Sequence, residues 1–315
     1  GERTALLRLA FRHAAPACNR TDIEAPAREE LAPTTALARR PPPSAAGHSL
    51  MPPALAARHG RPVLAAFTTA LLARPAGHHH RGRGGTAIAA MRLDYPRPTI
   101  VPPRTSSPTA VVFMLHGLGD TAAGWTDVAH MLRDVVPHAK WVLPTAPTRP
   151  ITLNGGMPMP GWYDITSLES IAGREDRGGL AETRRYVASL IAAEVAAGVP
   201  SDRIVVAGFS QGAAAALMTL RDDAKLAGVV ALSGYLPLAG DGAASPANGA
   251  TPVLMCHGDA DAVVAYRFGT ASRDAVVAAG LPVEFKAYAG MGHSACPEEL
   301  RDVGDFLEAR LPPLK

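Results

Sequence analysis

The sequence predicts an α/β fold, a mostly parallel central sheet covered by helices on both faces. Three observations predict it. From Met91 onward, short β-branched apolar runs recur along the chain. Stretches with helical apolar periodicity separate them. The order is alternating strand and helix, which a parallel sheet buried on both faces requires.

The elements follow in chain order. Thr109 to Leu115 is a continuous apolar run and reads as a buried strand. Ala181 to Ala197 places Val187, Leu190, Ile191 and Val195 on one helical face and stops at Gly198 and Pro200. Asp202 to Ala207 is strand-like, and Ala213 to Met218 is strongly helix-forming. Val229 to Leu232, Val253 to Met255 and Val283 to Tyr288 repeat the strand signature. The last helix, Glu298 to Leu311, aligns Leu300, Val303, Phe306, Leu307 and Leu311 on one stripe.

Residues 1–90 differ from the 91–315 domain. They are rich in Ala, Pro and Arg, and from Leu31 to Ala90 there is no Asp or Glu. Little stable structure is expected there, apart from a short apolar helix over Val63 to Ala73. An acid-free, Arg-rich leader resembles an organellar transit peptide starting at Met51; the alternative is that Met91 is the true start. His78-His79-His80 reads as incidental rather than as a metal clip.

Composition excludes several classes. Of 315 residues 47% are apolar and 19% charged, a balance suited to a large buried core. A net charge of +3 is too small to argue for nucleic acid. No apolar run approaches the roughly 18 residues of a membrane span, so at most peripheral membrane contact is expected. Cys18, Cys256 and Cys296 form neither a disulfide framework nor a metal pattern, and each is expected as a buried or inert thiol.

The chemistry lies in Gly208-Phe209-Ser210-Gln211-Gly212, between the Val205 strand and the Ala213 helix. Such a pentapeptide is weak evidence alone and strong evidence in a strand–turn–helix context, where it forms the nucleophile elbow of an α/β-hydrolase. Ser210 then stands at the strand's carboxyl end, facing a helix N-terminus able to receive an oxyanion. In this fold the acid and then the histidine lie downstream of the serine. His257 and His293 are the only downstream histidines. His257 follows a strand directly and is expected to stabilise its end; His293 sits in a glycine-flexed loop and is expected as the base. Asp259 and Asp261 both fit the acid by position. The alternative role for Asp259 is to pin the turn by bonding nearby backbone N–H groups. After the Thr109 strand, His116 to Asp120 offers a second oxyanion donor, assigned to the Leu118 N–H, with His116 in a structural role.

Leu115 to Asp120 (LHGLGD), Met159 to Ile165 (MPGWYDI), GFSQG, Leu232 to Pro237 (LSGYLP), His257 to Asp261 (HGDAD) and Met291 to Ser294 (MGHS) occur in that order. Together they resemble the acyl-protein thioesterase family, also described as lysophospholipase-like carboxylesterases, from about residue 95 to the C-terminus. The resemblance implies Asp261 as the triad acid beside Ser210 and His293, with oxyanion donors at Leu118 and Gln211. It implies no separate cap domain. Instead a loop over about 147–179 lines a shallow acyl channel, with Trp162, Met159 and Leu118 touching substrate; the alternative for Trp162 is plain core. Ala213 and Ala262 depart from residues common in relatives, and neither carries a chemical group.

The expected reaction is two-step acyl transfer without a metal or organic cofactor. The expected substrate is an S-acylated protein, with ester or lysophospholipid hydrolysis as the alternative and a non-catalytic receptor as the remote one. A monomer or weak homodimer is expected, cytoplasmic unless the leader directs it to a chloroplast or mitochondrion.

Overall fold

The continuous apolar run at residues 110–115 becomes the strand β3, and its side chains divide between the two faces of a sheet. Val111, Phe113 and Leu115 enter one core; Ala110, Val112 and Met114 enter the other. A strand buried on both faces has no polar face to show, hence the lack of alternation.

The computed structural model describes residues 19–22, 93–169 and 174–314. All of these fall in one compact unit. Its strands are β1 (Asn19–Asp22), β2 (Thr99–Val101), β3 (Ala110–Leu115), β4 (Ala139–Leu143), β5 (Thr148–Ile151), β6 (Met157–Pro160), β7 (Ile204–Phe209), β8 (Gly228–Leu232), β9 (Val253–Gly258) and β10 (Val283–Ala289). Its α-helices are α1 (Ala123–Leu132), α2 (Arg177–Ala196), α3 (Gln211–Met218), α4 (Tyr266–Ala278) and α5 (Pro297–Arg310). Eight strands form one sheet in the order β1-β10-β9-β8-β7-β3-β4-β2. The six from β10 to β4 are parallel; β1 and β2 close the two edges antiparallel. β5 and β6 form a separate two-stranded hairpin.

One core lies under α2, α3 and α4, through Val187 and Ile191, the Ala213–Met218 run and Val276. The other lies under α1 and α5, through Trp125, Ala129, Leu132, Val303, Phe306 and Leu307. The whole predicted stripe of α5 is buried. On α2 the stripe is buried at Val187 and Ile191, but Val195, near the helix end, is exposed.

Several expectations change. β1 is a strand within the leader expected to hold little stable structure; it pairs from Asn19 opposite Ala289 to Asp22 opposite Lys286. An open sheet edge is a template for any extended segment with free backbone groups. The expected helix over Val63 to Ala73, His78-His79-His80 and the candidate start Met51 lie outside the described residues. The 147–179 loop contains the β5–β6 hairpin, which its prolines and methionines did not announce. β4 carries no continuous apolar run, because Lys140 interrupts it; that lysine is ion-paired to Glu194 of α2. Cys256 is a free, buried thiol, whose pKa burial pushes well up. Cys296 is disulfide-bonded rather than an inert thiol. Among the described residues, no helix is long and apolar enough to cross a membrane.

Register places the functional loops together. Leu115 lies opposite Gly208, Phe209 opposite Leu232, Leu232 opposite Cys256, and Gly258 opposite Tyr288. The loops after β3, β7, β9 and β10 therefore leave from one end of the sheet, at the strands' carboxyl ends.

Candidate active site

Ser210 follows β7 and precedes α3 in a backbone conformation of φ 54 and ψ −116. Positive φ at a side-chain-bearing residue is strained by about 1–3 kcal/mol and persists only where its surroundings over-determine it. Here they do. The Ser210 N–H donates to the Leu232 carbonyl at 2.8 Å, and the Ser210 carbonyl accepts the Ala214 N–H at 3.1 Å. A β-carbon at Gly208 would meet the Gly212 oxygen at 2.2 Å, and one at Gly212 would meet the Leu115 oxygen at 2.1 Å. Only glycine fits either flank. The same reasoning gives the LSGYLP motif a function: a β-carbon at Gly234 would lie 2.4 Å from that of Ala213.

The hydroxyl of Ser210 lies 2.9 Å from Nε2 of His293, and Nδ1 of His293 lies 2.7 Å from Oδ2 of Asp261. An ionised carboxylate only accepts, so Nδ1 carries the proton and Nε2 is left to accept from the serine. Burial would raise the Asp261 carboxyl, but hydrogen bonds from His257 and His293 hold it below its ordinary value. Its other oxygen accepts the N–H groups of Val263 and Val264 at 2.8 and 2.9 Å. The carboxylate is therefore ionised and immobilised. The arrangement can move the serine proton to the imidazole and stabilise the resulting imidazolium. The ring of Phe209 packs on that of His293 at 4.9 Å between centroids.

The structure separates the two aspartates. Asp261 reaches His293, whereas Asp259 accepts the Gly290 N–H at 2.7 Å and so braces the histidine loop rather than pinning its own turn as expected. His257 is not beyond the strand but within β9. It is buried, 2.8 Å from the Val264 carbonyl through Nε2 and 3.4 Å from Asp261. It braces the acid's turn as well as the strand end.

Gln211 is the first residue of α3, so its N–H is one of those the helix leaves without an intrahelical partner. Its side chain does separate work. It accepts the Trp162 N–H at 2.9 Å and donates to the Tyr163 carbonyl at 2.7 Å, clipping the 147–179 loop to the elbow. Leu118 follows Gly117, where an added β-carbon would lie 3.5 Å from that of Ser210. The loop after β3 thus runs alongside the serine.

Trp162 does not line a channel. It is 0% exposed, and its indole N–H donates to the His116 carbonyl at 2.8 Å. The Thr183 hydroxyl donates to the Trp162 carbonyl. The expectation of a substrate-touching tryptophan is corrected: a large indole with a buried acceptor in reach gains more from the core than from a groove. Met159 and Leu118 remain half-exposed. The Met159 sulfur lies 3.6 Å from where a Gly119 β-carbon would stand, so it borders the same loop.

The similarity to known proteins agrees with this geometry. A family model described as phospholipase/carboxylesterase matches residues 96–311. Acyl-protein thioesterase 1 of Neurospora crassa is 45% identical over 227 residues, 69% of this chain and 93% of that protein. Its counterpart in Mycosarcoma maydis is 45% identical over 231 residues, 68% of this chain and 96% of that protein. Among solved structures, Zea mays acyl-protein thioesterase 2 superposes with a TM-score of 0.60 at 34% identity, over 69% of this chain and 100% of that one. With a mostly parallel sheet, a nucleophile elbow and a family match over most of its length, the chain belongs to the phospholipase/carboxylesterase family of α/β-hydrolases.

Proposed function

We propose that this hydrolase is an acyl-protein thioesterase that removes long-chain acyl groups from S-acylated protein cysteines. The observation that carries the chemistry is the unbroken Ser210–His293–Asp261 relay, at 2.9 and 2.7 Å. The thioester substrate rests on the 45% identity to acyl-protein thioesterase 1.

His293 takes the proton of Ser210 as its oxygen attacks the thioester carbonyl. The amides of Leu118 and Gln211 hold the tetrahedral oxyanion, assisted by the positive end of α3. His293 then protonates the leaving thiolate, and water repeats the sequence on the acyl-enzyme. Asp261 keeps His293 in the productive tautomer throughout. Met159 and Leu118 border the acyl chain, and the adaptable thioether suits an alkyl substrate.

Hydrolysis of a chain-length series, as thioesters and as oxygen esters, tests the substrate, with Ser210→Ala as the control. Preference for long thioesters, abolished in the variant, is expected. Preference for short oxygen esters returns the protein to general carboxylesterase activity. Activity retained in Ser210→Ala overturns the mechanism itself.

A further inference from the structure

The Gly117 carbonyl and the Leu118 N–H belong to one peptide unit. A trans peptide is planar, so fixing the direction of its carbonyl fixes the direction of its N–H. Nδ1 of His116 lies 2.6 Å from the Gly117 oxygen. A carbonyl only accepts, so Nδ1 carries the proton. Across the ring, the Ala146 N–H donates to Nε2 at 2.9 Å, so Nε2 carries none. The two bonds together demand one neutral tautomer, in a ring that is fully buried. Burial also lowers the imidazole pKa, against the charged form. The Gly117 oxygen accepts a second bond, from the Asp120 N–H at 3.2 Å, and the His116 carbonyl is held by the Trp162 indole.

We infer that His116 is a positioning residue for acyl transfer: its Nδ1–H holds the Gly117–Leu118 peptide in the orientation that presents the Leu118 amide to the oxyanion. The inference rests on the acyl-transfer mechanism proposed above. A bond accepted at the carbonyl also polarises the peptide and makes its N–H the stronger donor. The ring itself touches no reacting atom; it acts through Leu118.

A histidine that only filled space would use both nitrogens alike, so the test separates them. His116→Asn puts an amide N–H near the place of Nδ1 and keeps the bond to Gly117. His116→Gln puts an amide near Nε2, keeping the bond to Ala146 and losing the one to Gly117. His116→Gln is expected to lower kcat about 10- to 100-fold, less than deleting an oxyanion donor outright. Its KM stays within about threefold, marking an interaction made in the transition state. A trifluoromethyl ketone, which forms a tetrahedral adduct, weakens by the same factor. His116→Asn keeps kcat within about threefold of wild type. Equal losses of kcat in the two variants, or losses that appear in KM, overturn the inference.

Should neither variant fold, nitrogen NMR of wild-type protein with isotope-labelled histidine decides. His116 is expected as the neutral Nδ1–H tautomer, and an Nε2–H tautomer or an imidazolium overturns the role. Ser210→Ala keeps the two proposals apart. An inactive Ser210→Ala beside a folded, fully active His116→Gln removes only the positioning role.

Discussion

Trp162→Phe separates a core anchor from a substrate contact. The change keeps an aromatic ring and removes the indole N–H, which donates to the His116 carbonyl at 2.8 Å in a residue 0% exposed. Orphaning a buried carbonyl costs about 1–3 kcal/mol. The missing ring atoms leave a void worth roughly 1 kcal/mol more. The sum is roughly 2–4 kcal/mol, and each kcal/mol lowers Tm by about 2–4 °C in a domain of this size. A fall of roughly 5–15 °C is therefore expected by calorimetry. Kinetically, kcat on a long-chain thioester should fall while the acyl-length preference holds, because the lost bond supports the loop bearing Leu118 and reaches no acyl chain. An unchanged Tm with an altered chain-length profile would refute the reasoning and restore Trp162 to the channel wall.

Asp261→Asn should lower kcat on the order of 10,000-fold, the scale of losing the triad carboxylate. Asp259→Asn, which retains an acceptor for the Gly290 N–H, should stay within a few-fold of wild type; comparable losses in the two variants would overturn the assignment of the acid. Glu299 of α5 is fully buried, and burial first, then the charge of Asp302, pushes its carboxyl from 4.5 up to about 8. Its folded form holds a proton that the unfolded chain releases, so its contribution is complete below about pH 4.5 and is lost as pH rises through about 8. Urea unfolding at both ends of that window should show wild-type stability falling with pH by up to about 1.4 kcal/mol per unit, and Glu299→Gln should flatten the slope. An identical slope in the variant would count against it.

By itself the sequence determined the elements that depend on local chemistry. The all-apolar runs marked strands buried on both faces, and GFSQG between a strand and a helix marked the elbow, because only glycine avoids the backbone contacts flanking Ser210. Chain order and a glycine-flexed loop singled out His293. What spacing left open was decided by distances in space. Asp259 and Asp261 are two residues apart, and only the fold shows that one reaches an imidazole and the other a backbone N–H. The pairing of β1 with β10 across more than 260 residues and the β5–β6 hairpin carry no local periodicity strong enough to read. Trp162 and His116 show the limit most clearly. An indole near a substrate loop serves a groove or a core equally well on paper, and an upstream histidine has no chemical role in the chain order of the triad. Tertiary packing brought the indole under His116, and turned the His116 ring onto the peptide that carries the Leu118 amide. Hydrogen bonds between segments distant in sequence depend on where those segments meet, and no residue type declares its partner in advance.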